Sequence, residues 1–292
     1  MILNEMLRIL VERDGADLFL SPGCPPKIRA QNRVQPISEY PLEPADTEDF
    51  AFSLMDAEQR SGFAVTREMN LAFNVPSLGR FRTNILRQRG TVALVIRLVK
   101  FEIPTFEELN LPPILAELVT KPRGLILVTG ATGSGKSTTL ASMIDYRNRT
   151  KEGHIITLED PVEFVYRPRR CLIHQREVGT HVESFASGLR AALRECPDII
   201  LVGEMRDRET MALALTAAET GHLVLSTLHS GSAAMAIDRI IDIFPEHQQA
   251  QVRQQVAGSL RAVLTQQLLQ GIHPGSRYPA VELLVGNYAV AA

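Results

Sequence analysis

Gly130, Gly135, Lys136 and Ser137 fit the spacing G-x-x-x-x-G-K-[ST], with a further glycine at 133 between them. Glycines so placed let backbone N–H groups turn inward around a phosphate, and a helix beginning at Lys136 adds partial positive charge at the same point. Lys136 is expected on the β- and γ-phosphates of a nucleotide, and Ser137 is expected to offer its hydroxyl to Mg²⁺. Thr138 and Thr139 would lie near the phosphates or pack the helix start, while Ala131, Thr132, Gly133 and Ser134 complete the loop.

Three other stations carry suitable chemistry. The largely apolar run Ile155-Ile156-Thr157-Leu158 passes into Glu159, Asp160 and Glu163, carboxylates able to orient Mg²⁺ waters or polarise an attacking water. Asp198-Ile-Ile-Leu-Val-Gly-Glu204 is an apolar strand ending in an acid, with Gly203 where an aspartate is common, so metal contact falls to Glu204, to the carboxylates at 159, 160 and 163, or to Ser137 alone. His222 and His229 flank the strand 223–228, a placement that suggests sensing of a γ-phosphate. Arg190 and Arg194, one helical turn apart, read as a solvated face more readily than as an interface stripe.

The elements around these residues follow from hydrophobic period. Residues 125–129 form a short apolar run between glycines, hence a buried parallel strand, and helix 136–148 follows the loop. Strands at 154–158, 198–203 and 223–227 alternate with helices at 184–195 and 208–220, a rhythm that implies a parallel sheet covered by helices. Helices are expected at 233–243 and 245–269, and a last strand at 278–285. Ahead of this domain, a helix at 3–13, strands at 17–20 and 27–30, a helix at 47–60 and strands from Glu68 onward describe a small α+β domain. Its last two strands place Arg82 opposite Arg97 if Arg89-Gly90 is the hairpin loop, and opposed like charges destabilise a sheet unless an anion lies between them. Pro104, Pro112, Pro113 and Pro122 mark 101–121 as a linker.

Composition narrows the class. Lys plus Arg number 31 against 33 Asp plus Glu, Trp is absent and Tyr numbers 5, so neither a basic footprint nor stacking platforms point to direct nucleic-acid binding. No apolar run reaches the roughly 18 residues of a transmembrane segment, and Glu5 and Arg8 interrupt any signal peptide, so a cytoplasmic protein is expected. Cys24, Cys171 and Cys196 lack a C-x-x-C pair and read as reduced, mostly buried thiols.

Together these residues resemble the secretion ATPases of type II secretion and type IV pili, most closely the retraction branch. Gly130–Ser137 look like the Walker A box, 157–164 the aspartate box, 198–207 an atypical Walker B box and 221–229 the histidine box. The resemblance implies a RecA-like P-loop NTPase domain over 122–292, preceded by a PAS-like domain over 1–100 whose Arg82 and Arg97 look like nucleotide-contacting arginines. It implies ATP and Mg²⁺ as ligands, Glu204 as the residue that orients or deprotonates the attacking water, Glu163 as the second candidate, and His222 and His229 as couplers of γ-phosphate loss to domain motion. A homo-oligomer, a hexamer, is expected to drive pilus retraction at the cytoplasmic face of the inner membrane, through a membrane platform protein. A pilus-assembly or secretion ATPase, a nucleic-acid translocase and a nucleotide-gated adaptor are the alternatives. The secretion branch's four-cysteine zinc module is absent, and residues 287–292 look like the start of a further carboxy-terminal helical region.

Overall fold

The computed structural model describes residues 2–30, 33–99, 102–272 and 276–287, and divides into compact units at Phe101/Glu102. Of the stretch 287–292, read as the start of a carboxy-terminal region, residues 288–292 lie outside the described residues.

The first unit contains α1 (Leu3–Glu12), β1 (Gly15–Leu20), β2 (Lys27–Ala30), β3 (Arg33–Pro36), α2 (Pro44–Leu54), α3 (Ala57–Thr66), β4 (Glu68–Val75), β5 (Gly79–Gln88) and β6 (Thr91–Val99). Its antiparallel sheet has the order β3-β2-β1-β6-β5-β4. Met6, Leu7 and Leu10 of α1 and Phe63 of α3 join Leu18, Phe81, Ile85, Leu94 and Ile96 in one core. The single helix expected over 47–60 is two helices. Met55 is extended, and Asp56 caps α3 by accepting from the Gln59 N–H at 2.8 Å while Gln59 Oε1 accepts from the Asp56 N–H at 3.0 Å.

The second unit contains α4 (Ile114–Leu118), β7 (Gly124–Thr129), α5 (Lys136–Thr150), β8 (Gly153–Glu159), β9 (Cys171–Glu177), α6 (Phe185–Ala192), β10 (Ile199–Val202), α7 (Arg208–Glu219), β11 (Leu223–Leu228), α8 (Ala233–Asp242), α9 (Glu246–Ser259), β12 (Leu260–Gln270) and β13 (Arg277–Val285). The sheet order is β13-β12-β7-β11-β10-β8-β9, parallel except for the β12–β13 hairpin. β7 is buried along its whole length. Leu125 and Leu127 enter the core beneath α6 to α9, while Ile126 and Val128 enter the core beneath α4 and α5.

Two expectations fail in this unit. The stretch 102–121 is no linker: Phe106, Leu111, Leu115, Leu118 and Val119 are buried in the core beside α5, and the Phe106 ring stacks on Tyr146 with centroids 5.2 Å apart. The prolines interrupt helices there, but the apolar residues between them still find the core. The helix expected over 245–269 stops at Ser259, and residues 260–270 form β12, because pairing with β7 overrides the helix-favouring Leu, Ala and Gln content of the segment. Of the cysteines, only Cys171 is buried; Cys24 is half-buried and Cys196 exposed. Arg190 pairs with Glu209 on the surface.

Candidate functional site

The phosphate loop begins where β7 ends. At Gly130 (φ +141°) an added Cβ would collide with the Gln266 carbonyl oxygen and Ser134 Oγ, and Gly135 (φ +90°) caps α5 in the left-handed region. Both positions therefore need glycine. Lys136 is buried, and its Nζ donates to the carbonyls of Gly130 and Ala131, each at 2.9 Å. Burial pulls the Lys136 pKa down, and the nearby charges of Glu204 and Glu163 oppose that shift. Ala131, Thr132, Gly133 and Ser137 are exposed, Thr138 is half-buried, and the buried Ser134 Oγ has no hydrogen-bond partner among the described residues. A glycine-turned loop with a lysine folded over it, an orphan buried hydroxyl and an open helix start fits an anion of phosphate size, and the exposed Ser137 hydroxyl suits a hard cation beside it.

Glu204 follows β10 through Gly203, whose N–H donates to Leu158 O at 2.8 Å and whose carbonyl accepts from Thr227 Oγ1 at 2.7 Å. A Cβ at 203 would lie 3.2 Å from the Leu158 carbonyl, a tight fit for any larger residue. The Glu204 side chain is 16% exposed, with Oε2 2.6 Å from Arg206 Nη2 and Oε1 3.3 Å from His229 Nε2. Burial raises the Glu204 pKa, but the hydrogen bond and charge of Arg206, with His229 and Lys136, outweigh it and hold the carboxyl below its usual range.

The other carboxylates differ from one another. Glu163 is exposed, whereas Glu159 is buried, with Oε1 accepting from Thr157 Oγ1 at 2.6 Å and from Gln175 Nε2 at 3.2 Å; burial raises its pKa. Lys136, Glu204, Glu163 and His229 thus form one electrostatic neighbourhood at the carboxyl ends of the strands, where open parallel sheets bind ligands.

His222 does not join them. Leu223 pairs with Gly124 and Leu228 with Thr129, so His222 lies beside the start of β7, roughly 20 Å of strand from the loop. There its Nδ1 is 3.2 Å from the Ala217 carbonyl at the end of α7. A histidine before a parallel strand and one after it occupy opposite edges of the sheet, so the expected pairing of the two as sensors fails for His222.

In the first unit, Arg82 lies directly opposite Arg97, the register expected from an Arg89-Gly90 loop. The anion required between like charges is supplied in part by the chain itself: Arg97 Nε donates to Oδ1 of the buried Asp17 at 2.8 Å, and Asp17 pairs across β1–β6 with Arg97.

A family model described as type II/IV secretion system protein matches residues 67–284. The chain belongs to this family. It is 46% identical over 290 residues to a protein of Pseudomonas aeruginosa named type IV pilus retractation ATPase PilT, an alignment covering 99% of this chain and 84% of that protein. It is also 45% identical over 267 residues to the twitching motility protein of Neisseria gonorrhoeae, covering 91% and 71%. A crystal structure of the pilus retraction motor PilT with bound ADP superposes with a TM-score of 0.95 at 47% identity, covering 100% of this chain and 85% of that one. This secretion-family protein is accordingly an ATPase, built as a RecA-like P-loop domain behind a smaller α+β domain.

One residue of this ATPase's site escaped the sequence reading. Gln266 on β12 is buried, its Nε2 donates to the Ser134 carbonyl at 2.6 Å, and its Oε1 accepts from Thr139 Oγ1 at 2.8 Å. The side chain ties the loop to the first turn of α5, and one residue earlier Thr265 Oγ1 meets Thr129 Oγ1 at 2.8 Å. The apolar run 262–264 passing into the polar pair Thr265-Gln266, as where a buried strand reaches the carboxyl edge of a sheet, was the available signal.

Proposed function

We propose that this ATPase works as a hexameric ring that drives retraction of a type IV pilus, at the cytoplasmic face of the inner membrane and through a membrane platform protein. The observation that carries this reading is a phosphate loop whose Lys136 feels the charges of Glu204 and Glu163, in a chain 46% identical, along nearly its full length, to a pilus retraction ATPase. Lys136 leaves the Gly130 and Ala131 carbonyls for the β- and γ-phosphates, and loop amides from Gly130 to Ser137 with Thr138 hold the remaining oxygens. Ser137, with Glu204 through water, would hold Mg²⁺, which when bound neutralises charge on the phosphate oxygens. Glu204, kept ionised by Arg206, orients or deprotonates the attacking water; Glu163 is the second candidate. His229, 3.3 Å from Glu204, couples loss of the γ-phosphate to movement. Arg82 and Arg97 complete the site from a neighbouring subunit.

The test is genetic. A strain lacking the protein should keep surface pili and lose twitching, and a copy carrying Lys136→Ala should not restore it. Loss of the pili themselves would refute retraction and favour assembly.

A further inference from the structure

His154 near the start of β8 and His174 on β9 stand apart from the nucleotide site. The two strands pair in parallel, His154 beside Leu172 and Ile156 beside His174, so these four side chains share one face of the sheet. Ile156 enters the core beneath α6 to α9, but towards the amino end and the outer edge that face is uncovered: Leu172 is 55% exposed, His174 is exposed and His154 is half-buried. From His154 to Glu159, at the carboxyl edge, is about 16 Å of strand. The imidazoles meet edge to face, with centroids 5.0 Å apart, planes at 88° and His154 Nε2 3.0 Å from His174 Nδ1. The backbone beneath them is fixed from the neighbouring strand: Asp198 Oδ2 accepts from the His154 N–H at 2.8 Å, and the Asp198 N–H donates to the His154 carbonyl at 2.8 Å.

We propose that His154 and His174 are the two protein arms of a surface site for a divalent transition metal that takes its ligands at right angles, Ni²⁺ or Cu²⁺ rather than Zn²⁺. Metal–imidazole bonds of about 2.0–2.1 Å put two nitrogens about 3.3–3.4 Å apart at a tetrahedral angle and about 2.8–3.0 Å apart at a right angle. The observed 3.0 Å is the right-angled spacing. Between neutral rings this contact holds one proton, and carrying that proton on the far nitrogen of its own ring leaves lone pairs on both facing nitrogens without loss of a proton from the pair. No third His, Cys, Asp or Glu completes a metal cluster with them among the described residues, so water fills the remaining positions and the ion exchanges freely. Because its arms come from two strands, the ion pins the edge strand β9 to β8. It does so one residue before Gln175, whose Nε2 donates to Glu159 Oε1 at 3.2 Å and to the Phe164 carbonyl at 2.8 Å.

The discriminating measurement is calorimetric titration of Ni²⁺, and separately of Zn²⁺, into the full chain, free of any affinity tag and with excess Mg²⁺ present to fill sites that favour a hard cation. Wild-type protein should bind one equivalent of Ni²⁺, more tightly than Zn²⁺, and its Tm should rise on binding. His154→Gln and His174→Gln should each weaken Ni²⁺ roughly a hundredfold, the loss expected when a two-armed ligand keeps one arm, and abolish the rise in Tm. His247→Gln, at an exposed histidine of α9, should leave Ni²⁺ affinity unchanged. His174 is exposed, so its replacement takes nothing from the core, and MgATP affinity equal to wild type verifies the fold of each variant. Wild-type protein that binds no Ni²⁺ overturns the site, as does either variant that keeps wild-type affinity and stoichiometry. Zn²⁺ held more tightly than Ni²⁺ overturns the right-angled geometry.

Discussion

Gln266→Ala is the sharpest perturbation the site offers. The substitution removes a 2.6 Å bond to the Ser134 carbonyl and a 2.8 Å bond from Thr139 Oγ1, both in a buried setting. Two such bonds contribute about 2 kcal/mol net, and the partners left unsatisfied add about 1–3 kcal/mol, less where water reaches them from the open loop. A loss of about 3 kcal/mol corresponds to a fall in Tm of about 6–12 °C for a unit of this size. The loop from Ser134 to Lys136 is then no longer tied to α5, so nucleotide binding must also order it, and the KM for ATP should rise about tenfold or more. Gln266→Glu separates bracing from volume: it can still accept from Thr139, but it sets a carboxylate oxygen against the Ser134 carbonyl and adds negative charge beside the phosphates. Its phosphate affinity should fall below that of the alanine variant. Scanning calorimetry and steady-state ATPase assays read both quantities. A Gln266→Ala protein that melts within about 2 °C of wild type with unchanged KM would refute the bracing role.

Other outcomes follow from the same geometry. Glu204→Gln should bind ATP normally and hydrolyse it about 10²–10⁴-fold more slowly; if Glu163→Gln alone abolishes turnover while ATP binding holds, the base is Glu163. Because the folded pKa of Glu204 lies below the ordinary 4.5, its ion pairs stabilise the fold above that pH and cease to do so as pH falls through the depressed value. Arg206→Ala removes the largest opposition to burial, so protonation of Glu204, and with it the acid limb of the turnover profile, should move to higher pH; an unmoved limb rejects the coupling. Mixing Lys136→Ala subunits with Arg82→Ala/Arg97→Ala subunits under exchange should recover part of the activity if the arginines act in trans, and full activity in the double arginine variant alone would remove them from the site.

The parts of the fold most legible in the sequence were those whose local pattern has one solution. β7, β8 and β10 are short, largely apolar runs bounded by Gly, Asp or Glu, β11 is one flanked by histidines, and the phosphate loop needs its glycines wherever it occurs. The Arg82–Arg97 register followed from the two-residue turn alone. What remained hidden depended on distant partners. Leu260–Gln270 is rich in helix formers and becomes a strand only because β7 and β13 lie on either side of it, so Gln266 could not be placed at the loop before the sheet order was known. The segment 102–121 hides its buried leucines among prolines. β9, with buried residues on one face and Leu172 exposed on the other, lies at the sheet edge where no continuous apolar run marks it.

The central placement of β7 bears on how the molecule is made. Its neighbours are β11 and β12, and the hydroxyl contact that joins β7 to β12 spans 136 residues of sequence. At about 5–20 residues per second on the ribosome, that interval is about 7–27 seconds. During it the loop glycines, the lysine and the whole of α5 have been synthesised, yet β7 has neither edge covered until β11 appears, and its other edge stays open until β12 does. Nucleotide competence therefore arrives late in translation and almost at once, when β12 leaves the exit tunnel and closes the last open side of β7. A nascent chain stalled before residue 260 would carry the complete phosphate-loop motif and an exposed apolar strand, making it a client for chaperones rather than a small ATPase.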